Sequence, residues 1–297
     1  MKQHLDRNIY FYLILSMVIW GISWPTSKIL TLYTDTFTLI FLKFFLSVLT
    51  LVPLVVVFFK PKNIFNKHIL KPLLFASFFL ILYNVLFFYG LQVGFAGLGG
   101  VIVTGSNPIF TFILVAYLDK LTIPKIQKVA LILGIIGVII TVDIFHLAYK
   151  DLIQGGNLIF LVASLCWSLV TIFSTKAKEY INSLLFSVYL YITSSIILFL
   201  FFVPNGALVN IFSYDMVFWF NLFFTMVIST GFATTIYFYA SNILGAHKTS
   251  SFIFVVPFVA VISSALFLKE IPQLSTIIGG AILIYAIWLI NKKPKLT

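Results

Sequence analysis

YGLQVGFAGLGGVIVTGSNPIFTFILVAYLDK (residues 89–120) and YASNILGAHKTSSFIFVVPFVAVISSALFLKE (residues 239–270) read as one element written twice. Each opens on a Tyr and passes through a small-residue stretch. Each then places a proline in an apolar run, as Asn107-Pro108 and as Val256-Pro257. Each closes on charges, Asp119-Lys120 and Lys269-Glu270. The offset is about 149 residues. It continues downstream, where Ala130 and Gly137 stand opposite Gly279 and Ala286. It also extends upstream: Trp20 and Trp167 each precede a lysine, Lys28 and Lys176, by eight or nine residues. The chain therefore divides into two halves, residues 1–150 and 151–297.

Apolar runs separated by charges, Pro and Gly fall at about 9–32, 36–59, 70–91, 95–118, 125–144, 156–175, 183–203, 216–240, 247–268 and 273–290. Each is near the ~20 apolar residues needed to cross a bilayer as a helix. Of the 297 residues 61% are hydrophobic and only 9% are charged, and mean hydropathy is +1.12. Soluble, disordered and coiled-coil chains need far more polar surface. The runs are continuous rather than alternating, which excludes a membrane β-barrel. The expected fold is all-α and integral to the membrane. Ten transmembrane helices form two five-helix repeats. An odd number of spans per half means that the second repeat is inverted, an arrangement used by transporters around a midplane site. The apolar run after Arg7 is too long for a signal-peptide core, and no small-x-small cleavage site follows it. It is expected to be a retained first helix.

Basic residues give the orientation. With the N-terminus inside, fifteen Lys and Arg fall in inside segments and three, Lys28, Lys150 and Lys269, outside. Lys43 remains within the second span. This bias predicts that both termini are cytoplasmic and that the protein lies in the cytoplasmic membrane. The net charge of +11 is thereby explained without a nucleic-acid partner. The single cysteine, Cys166, lies in an apolar run and has no partner for a disulfide or metal site.

Polar groups inside hydrocarbon are costly, so their placement is informative. Ser16, Trp20, Ser23 and Ser27 share one face of the first helix. Ser164, Ser168, Thr171 and Thr175 repeat that spacing in the sixth, beside Trp167. Thr230, Thr234, Tyr237 and Ser241 do so in the eighth. Helix–helix packing explains any one such residue; three faces, two with aromatics, point to a cavity. Asn84 and Asn107 add amides near mid-span. Trp24, Tyr83 and Tyr237 offer flat apolar faces with a polar tip. The expected substrate-binding set is Trp20, Ser23, Trp24, Tyr83, Asn84, Asn107, Trp167, Thr171, Thr234 and Tyr237. Lys43 has two readings: its ammonium snorkels outward, or it faces the substrate path. Gly90, Gly94, Gly97, Gly99, Gly100 and Gly105 read as close packing or hinge points of the fourth helix. Asn242 and His247 read either as solvated loop residues or as an inner gate.

Trp20-Gly21 with Lys28, Leu42-Lys43-Phe44, Asn107-Pro108-Ile109-Phe110, Ser164-Leu165-Cys166-Trp167, and Val256-Pro257 followed by Leu268-Lys269-Glu270 occur in this order. The pattern resembles the EamA-like ten-helix branch of the drug/metabolite transporter superfamily, over essentially the whole chain. Lys43 stands where that family usually carries Arg. The resemblance implies a ten-helix fold and export of amino acids, other metabolites or drugs through a cavity between the halves.

Absent chemistry narrows the reading further. All eight acidic residues lie at helix ends or in loops, so no central carboxylate can act as a proton relay. The sequence has no Walker A motif. A membrane enzyme needs convergent His, Asp, Glu or Cys groups. The nearest set, Asp143, His146 and Asp151, is loosely spaced. The expectation is a secondary transporter, not an enzyme, with no cofactor and no metal. It is expected to move a small neutral or zwitterionic metabolite, amino-acid-like or drug-like, by alternating access. The expected partners are that solute and the bilayer, with homo-oligomerisation left open.

Overall fold

The computed structural model describes residues 8–59, 66–118, 120, 124–142, 156–177, 179–237, 240 and 251–291. Within them the chain is helical, and no strand occurs among the described residues. In order the helices are α1 (Ile9–Leu30), α2 (Thr36–Leu54), α3 (Leu70–Val93), α4 (Ala96–Leu118), α5 (Lys125–Val142), α6 (Asn157–Ala177), α7 (Ser183–Phe201), α8 (Met216–Phe223), α9 (Val255–Leu268) and α10 (Leu274–Asn291). A single turn, Ala207–Asn210, crosses the loop between α7 and α8. Among the described residues, eight helices are long and apolar enough to cross a membrane; α9 and α10 are shorter apolar helices.

Local chemistry sets the helix starts. The Asp35 carboxylate accepts from the backbone N–H of Phe37 and Thr38, at 2.9 and 3.0 Å, and caps α2. Asn182 and Asp215 do the same for α7 and α8, accepting from Leu184 and Phe218. Pro257 lies in the first turn of α9, where its missing N–H leaves no helical bond unmade. Pro108, by contrast, is well inside α4. The two quoted stretches end alike: Lys120 and Lys269, at φ 50° and 56°, are the non-glycine residues with left-handed backbone among those described.

The eighth span is not a uniform α-helix. After α8 the backbone widens over Phe224–Ala233 into an i→i+5 coil. The hydroxyls of Thr230 and Thr234 accordingly donate to carbonyls five residues back, those of Thr225 and Ser229. The expected polar face of Thr230, Thr234 and Tyr237 assumed 3.6 residues per turn, so this coil spreads it. Ser241 lies outside the described residues.

Large apolar side chains such as Phe11, Leu49, Phe78, Phe199 and Leu266 stand more than half exposed around the bundle. On a soluble protein they would form an aggregation-prone surface; here they suit a lipid-facing one. Inside, α3 packs on α6 and α1 on the α8 segment. Helix α4 packs on α6, and α1 on α9. Helix α2 meets the widened coil as α3 meets α7. Helices α2 and α7, α4 and α9, and α5 and α10 pair directly. Small residues permit the closest crossings. A Cβ added at Gly21 would fall 3.1 Å from the Ala260 backbone nitrogen of α9. One added at Gly279 of α10 would fall 2.8 Å from the Gly137 carbonyl oxygen of α5. Most of the glycines around α4 pack closely too: Gly90 and Gly99 face the Phe160 ring, and Gly100 faces Ala260 and Trp24.

Candidate functional site

Two Trp–Tyr contacts join helices inside the bundle. Trp20 of α1 meets Tyr237, in the continuation of α8, with ring centroids 5.1 Å apart and planes at 41°. Its indole N–H donates to the Ser229 carbonyl at 3.3 Å. Trp167 of α6 meets Tyr83 of α3 at 4.8 Å and 56°. The second contact extends into a row. Tyr83 lies 5.8 Å from Phe87, and Phe87 lies 4.9 Å, edge to face, from Trp24 of α1. Trp24 and Tyr83 are buried, whereas Trp167 is partly exposed. An apolar wall thus runs across α1, α3 and α6.

The hydroxyls and amides divide by use. Ser23 and Thr171 donate to their own helices, at the carbonyls of Trp20 and Trp167, as Thr234 does to Ser229. The Asn107 amide donates to the Ser164 carbonyl at 3.3 Å and the Ser168 hydroxyl at 3.0 Å, and Ser168 donates back to the Asn107 carbonyl. Both N–H groups of that amide join α4 to α6. Ser164 and Ser168, read from the sequence as part of a polar face, are fully buried in the same clasp. The Thr26 and Thr225 hydroxyls meet 2.9 Å apart between α1 and the widened coil.

Asn84 is buried, and its amide N–H donates to the Leu80 carbonyl. Its Oδ1 accepts from Lys43 Nζ at 3.0 Å. The ammonium also stands over the Phe87 and Phe88 rings, 5.1 and 5.7 Å from their centroids. The outward snorkel is therefore not adopted: Lys43 turns into the bundle, where an amide oxygen and two ring faces receive it. Lys43 was not among the expected binding residues. A lysine eight residues inside its span was the signal that could have placed it there.

At the helix ends carrying Asp35 and Asp215, a second polar centre forms. Lys28 Nζ lies 2.6 Å from Glu270 Oε1 and 2.7 Å from the Gly94 carbonyl. Glu270 Oε2 accepts from the backbone N–H of Ala96, at 2.8 Å, and of Gly97, at 3.3 Å. A carboxylate at the start of α4 is matched to the positive end of that helix. The pair ties α1 and α4 to the residues after α9, beside a recess lined by Phe95, Leu98, Val261 and Gln273. At the same end the Tyr33 hydroxyl donates to Asp215 at 2.8 Å. The Phe218 backbone N–H, followed by this phenol, holds the Asp215 carboxyl below its ordinary range. The hydrogen bond to Asp215 raises Tyr33 above its ordinary value. Asp143, His146, Asp151, Asn242 and His247 lie outside the described residues.

An apolar helical bundle with an inward-facing lysine, paired aromatics and hydroxyl-lined contacts has the character of a multi-pass membrane transporter. The chain belongs to the EamA-like transporter family, which matches residues 7–143 and again residues 154–292. It is 26% identical to the uncharacterized transporter YvbV of Bacillus subtilis (strain 168), across 99% of this chain and 95% of that one. It is 23% identical to the uncharacterized transporter YoaV of the same organism, across 92% of each. A solved crystal structure shares the fold with a TM-score of 0.62, at 13% identity, over 93% of this chain and 94% of the other.

Proposed function

We propose that the chain is a ten-span exporter built from two inverted five-helix repeats, residues 1–150 and 151–297. It moves a small neutral or zwitterionic metabolite across the cytoplasmic membrane by alternating access, with both termini cytoplasmic. The observation that carries this reading is the reciprocity of helix pairs. Exchanging first-half helices for their second-half counterparts turns α3 on α6 into α8 on α1, and α4 on α6 into α9 on α1. Two packings related in this way have similar energies and open to opposite sides, as alternating access requires. The family match to both halves supports the same division. Trp20, Trp24, Tyr83, Asn84, Trp167 and Tyr237 form the solute wall, with Ser23, Thr171, Thr234 and Asn107 as its hydroxyl and amide neighbours.

Untargeted metabolite profiling of cells and medium, with and without overexpression, tests the proposal. One or a few low-molecular-weight solutes should leave the cell faster with the wild-type chain than with a Trp20→Ala, Trp167→Ala variant present at the same membrane level. Identical profiles for wild type, variant and empty cells would sink the export reading.

A further inference from the structure

Lys43 brings a full positive charge to a depth of about 12 Å below the Asp35 cap, at ~1.5 Å per residue. Its side of α2 is the packed one. Leu39, Ile40, Phe44 and Ser47 are fully or almost fully buried, while Phe45 and Leu49 carry the exposed side. The ammonium thus points away from lipid, and Lys43 retains some accessible surface. Asn84 Oδ1 takes one of its three N–H donors, and two phenyl faces lie against it. None of these groups is anionic. Among the described residues the only ion pair joins Lys28 to Glu270. In the sequence, all eight acidic residues fall between the apolar runs or at their ends, and of the described ones Asp35, Glu179, Asp215 and Glu270 lie outside the helices.

An unmatched charge in a low-dielectric interior favours an anion of opposite sign. Phe87 connects this charge to the aromatic row, since it touches Lys43, Tyr83 and Trp24. Resting on the transport reading above, we propose that Lys43, oriented by Asn84, binds the carboxylate of the transported solute. The apolar part of that solute lies along Trp24, Phe87, Tyr83 and Trp167. Within that reading, the substrate class is thereby narrowed to its zwitterionic members, amino acids with an apolar or aromatic side. Amides, esters and amines of the same shape are excluded from it.

The test measures binding to the purified full-length chain by quenching of tryptophan fluorescence. The probes are two matched pairs, 3-phenylpropanoate with 3-phenylpropanamide, and phenylalanine with phenylalaninamide. Wild type should prefer the carboxylate by about tenfold, the usual advantage of a charge-assisted over a neutral contact. Lys43→Gln should bring that ratio towards one, and Lys43→Arg should keep it. Asn84→Asp sets a carboxylate where Oδ1 now lies, 3.0 Å from Nζ, so the internal counter-ion should abolish the preference even if Lys43→Gln fails to fold. Equal binding of acid and amide, binding of neither, or a preference that survives in Asn84→Asp would overturn the proposal. The assay reads binding without transport. Failure here leaves the export reading standing, and failure of metabolite profiling leaves this result intact.

Discussion

Lys28 Nζ lies 2.6 Å from Glu270 Oε1, an ion pair between residues 242 positions apart that closes one end of the bundle. The Glu270 side chain is only 8% exposed, and its other oxygen caps α4. Removing either partner strands a partly buried charge, so Lys28→Met and Glu270→Gln should each destabilise by about 1–3 kcal/mol. The double variant should cost less than the sum of the two, because the stranded charge disappears. Thermal midpoints of the four proteins in one detergent measure this coupling, and strictly additive costs would dissociate the pair from stability.

A pH-dependent contribution is expected from Asp215 and Tyr33. The folded state holds Asp215 below its ordinary range, first through the Phe218 backbone N–H and then through the Tyr33 phenol. That stabilisation is present above the unfolded carboxylate value of ~4 and is lost as pH falls through the lower folded value. Tyr33 works in the opposite direction: its raised value contributes below the unfolded phenol value of ~10 and is lost as pH rises through the folded one. Asp215→Asn should flatten the acid limb of a thermal-midpoint profile. An unchanged acid limb would remove Asp215 from the account.

Gly279 should tolerate no side chain. A Cβ there falls 2.5 Å from the Thr141 backbone nitrogen and 2.8 Å from the Gly137 carbonyl, neither of which can rotate away. Gly279→Ala must separate α5 from α10, at a cost of about 1–3 kcal/mol. Gly280→Ala meets only the Val101 side chain, at 3.1 Å, and should cost less. Detergent-solubilised yield and thermal midpoint compare the two, and equal tolerance would contradict the crossing geometry.

Asn107 and Trp167 should behave differently although both belong to the candidate wall. The Asn107 amide spends its donors on α6. Asn107→Ala should therefore lower stability by about 1–2 kcal/mol while leaving more transport per folded molecule than Trp167→Ala does. Efflux from vesicles at matched protein level separates the two. Equal transport defects would return Asn107 to direct solute contact.

Orientation is tested by reporters fused after Thr297. A cytoplasmic reporter should be active and a periplasmic one silent, as the fifteen-to-three division of basic residues requires. The reverse pattern would invert the assignment of inside and outside.

Much of the fold was legible in the sequence for one physical reason. A helix satisfies its own backbone hydrogen bonds, so a run of ~20 apolar residues is enough to announce a membrane helix. The proposed division into halves draws on the same text, with Pro108 set against Pro257 and Lys120 against Lys269. The candidate wall was legible in its aromatic members, because Trp20 with Tyr237 and Trp167 with Tyr83 meet as rings. It was less legible in its hydroxyls and amides, because a Ser, Thr or Asn can satisfy itself locally, across helices, or at a solute. Only packing decided that Asn107 turns to Ser164 and Ser168, that Lys43 turns inward to Asn84, and that the eighth span widens after Phe223. Glu270 reaches a lysine 242 residues away for the same reason. Local helix formation depends on neighbours in sequence, whereas the partner of a polar group depends on which helices meet.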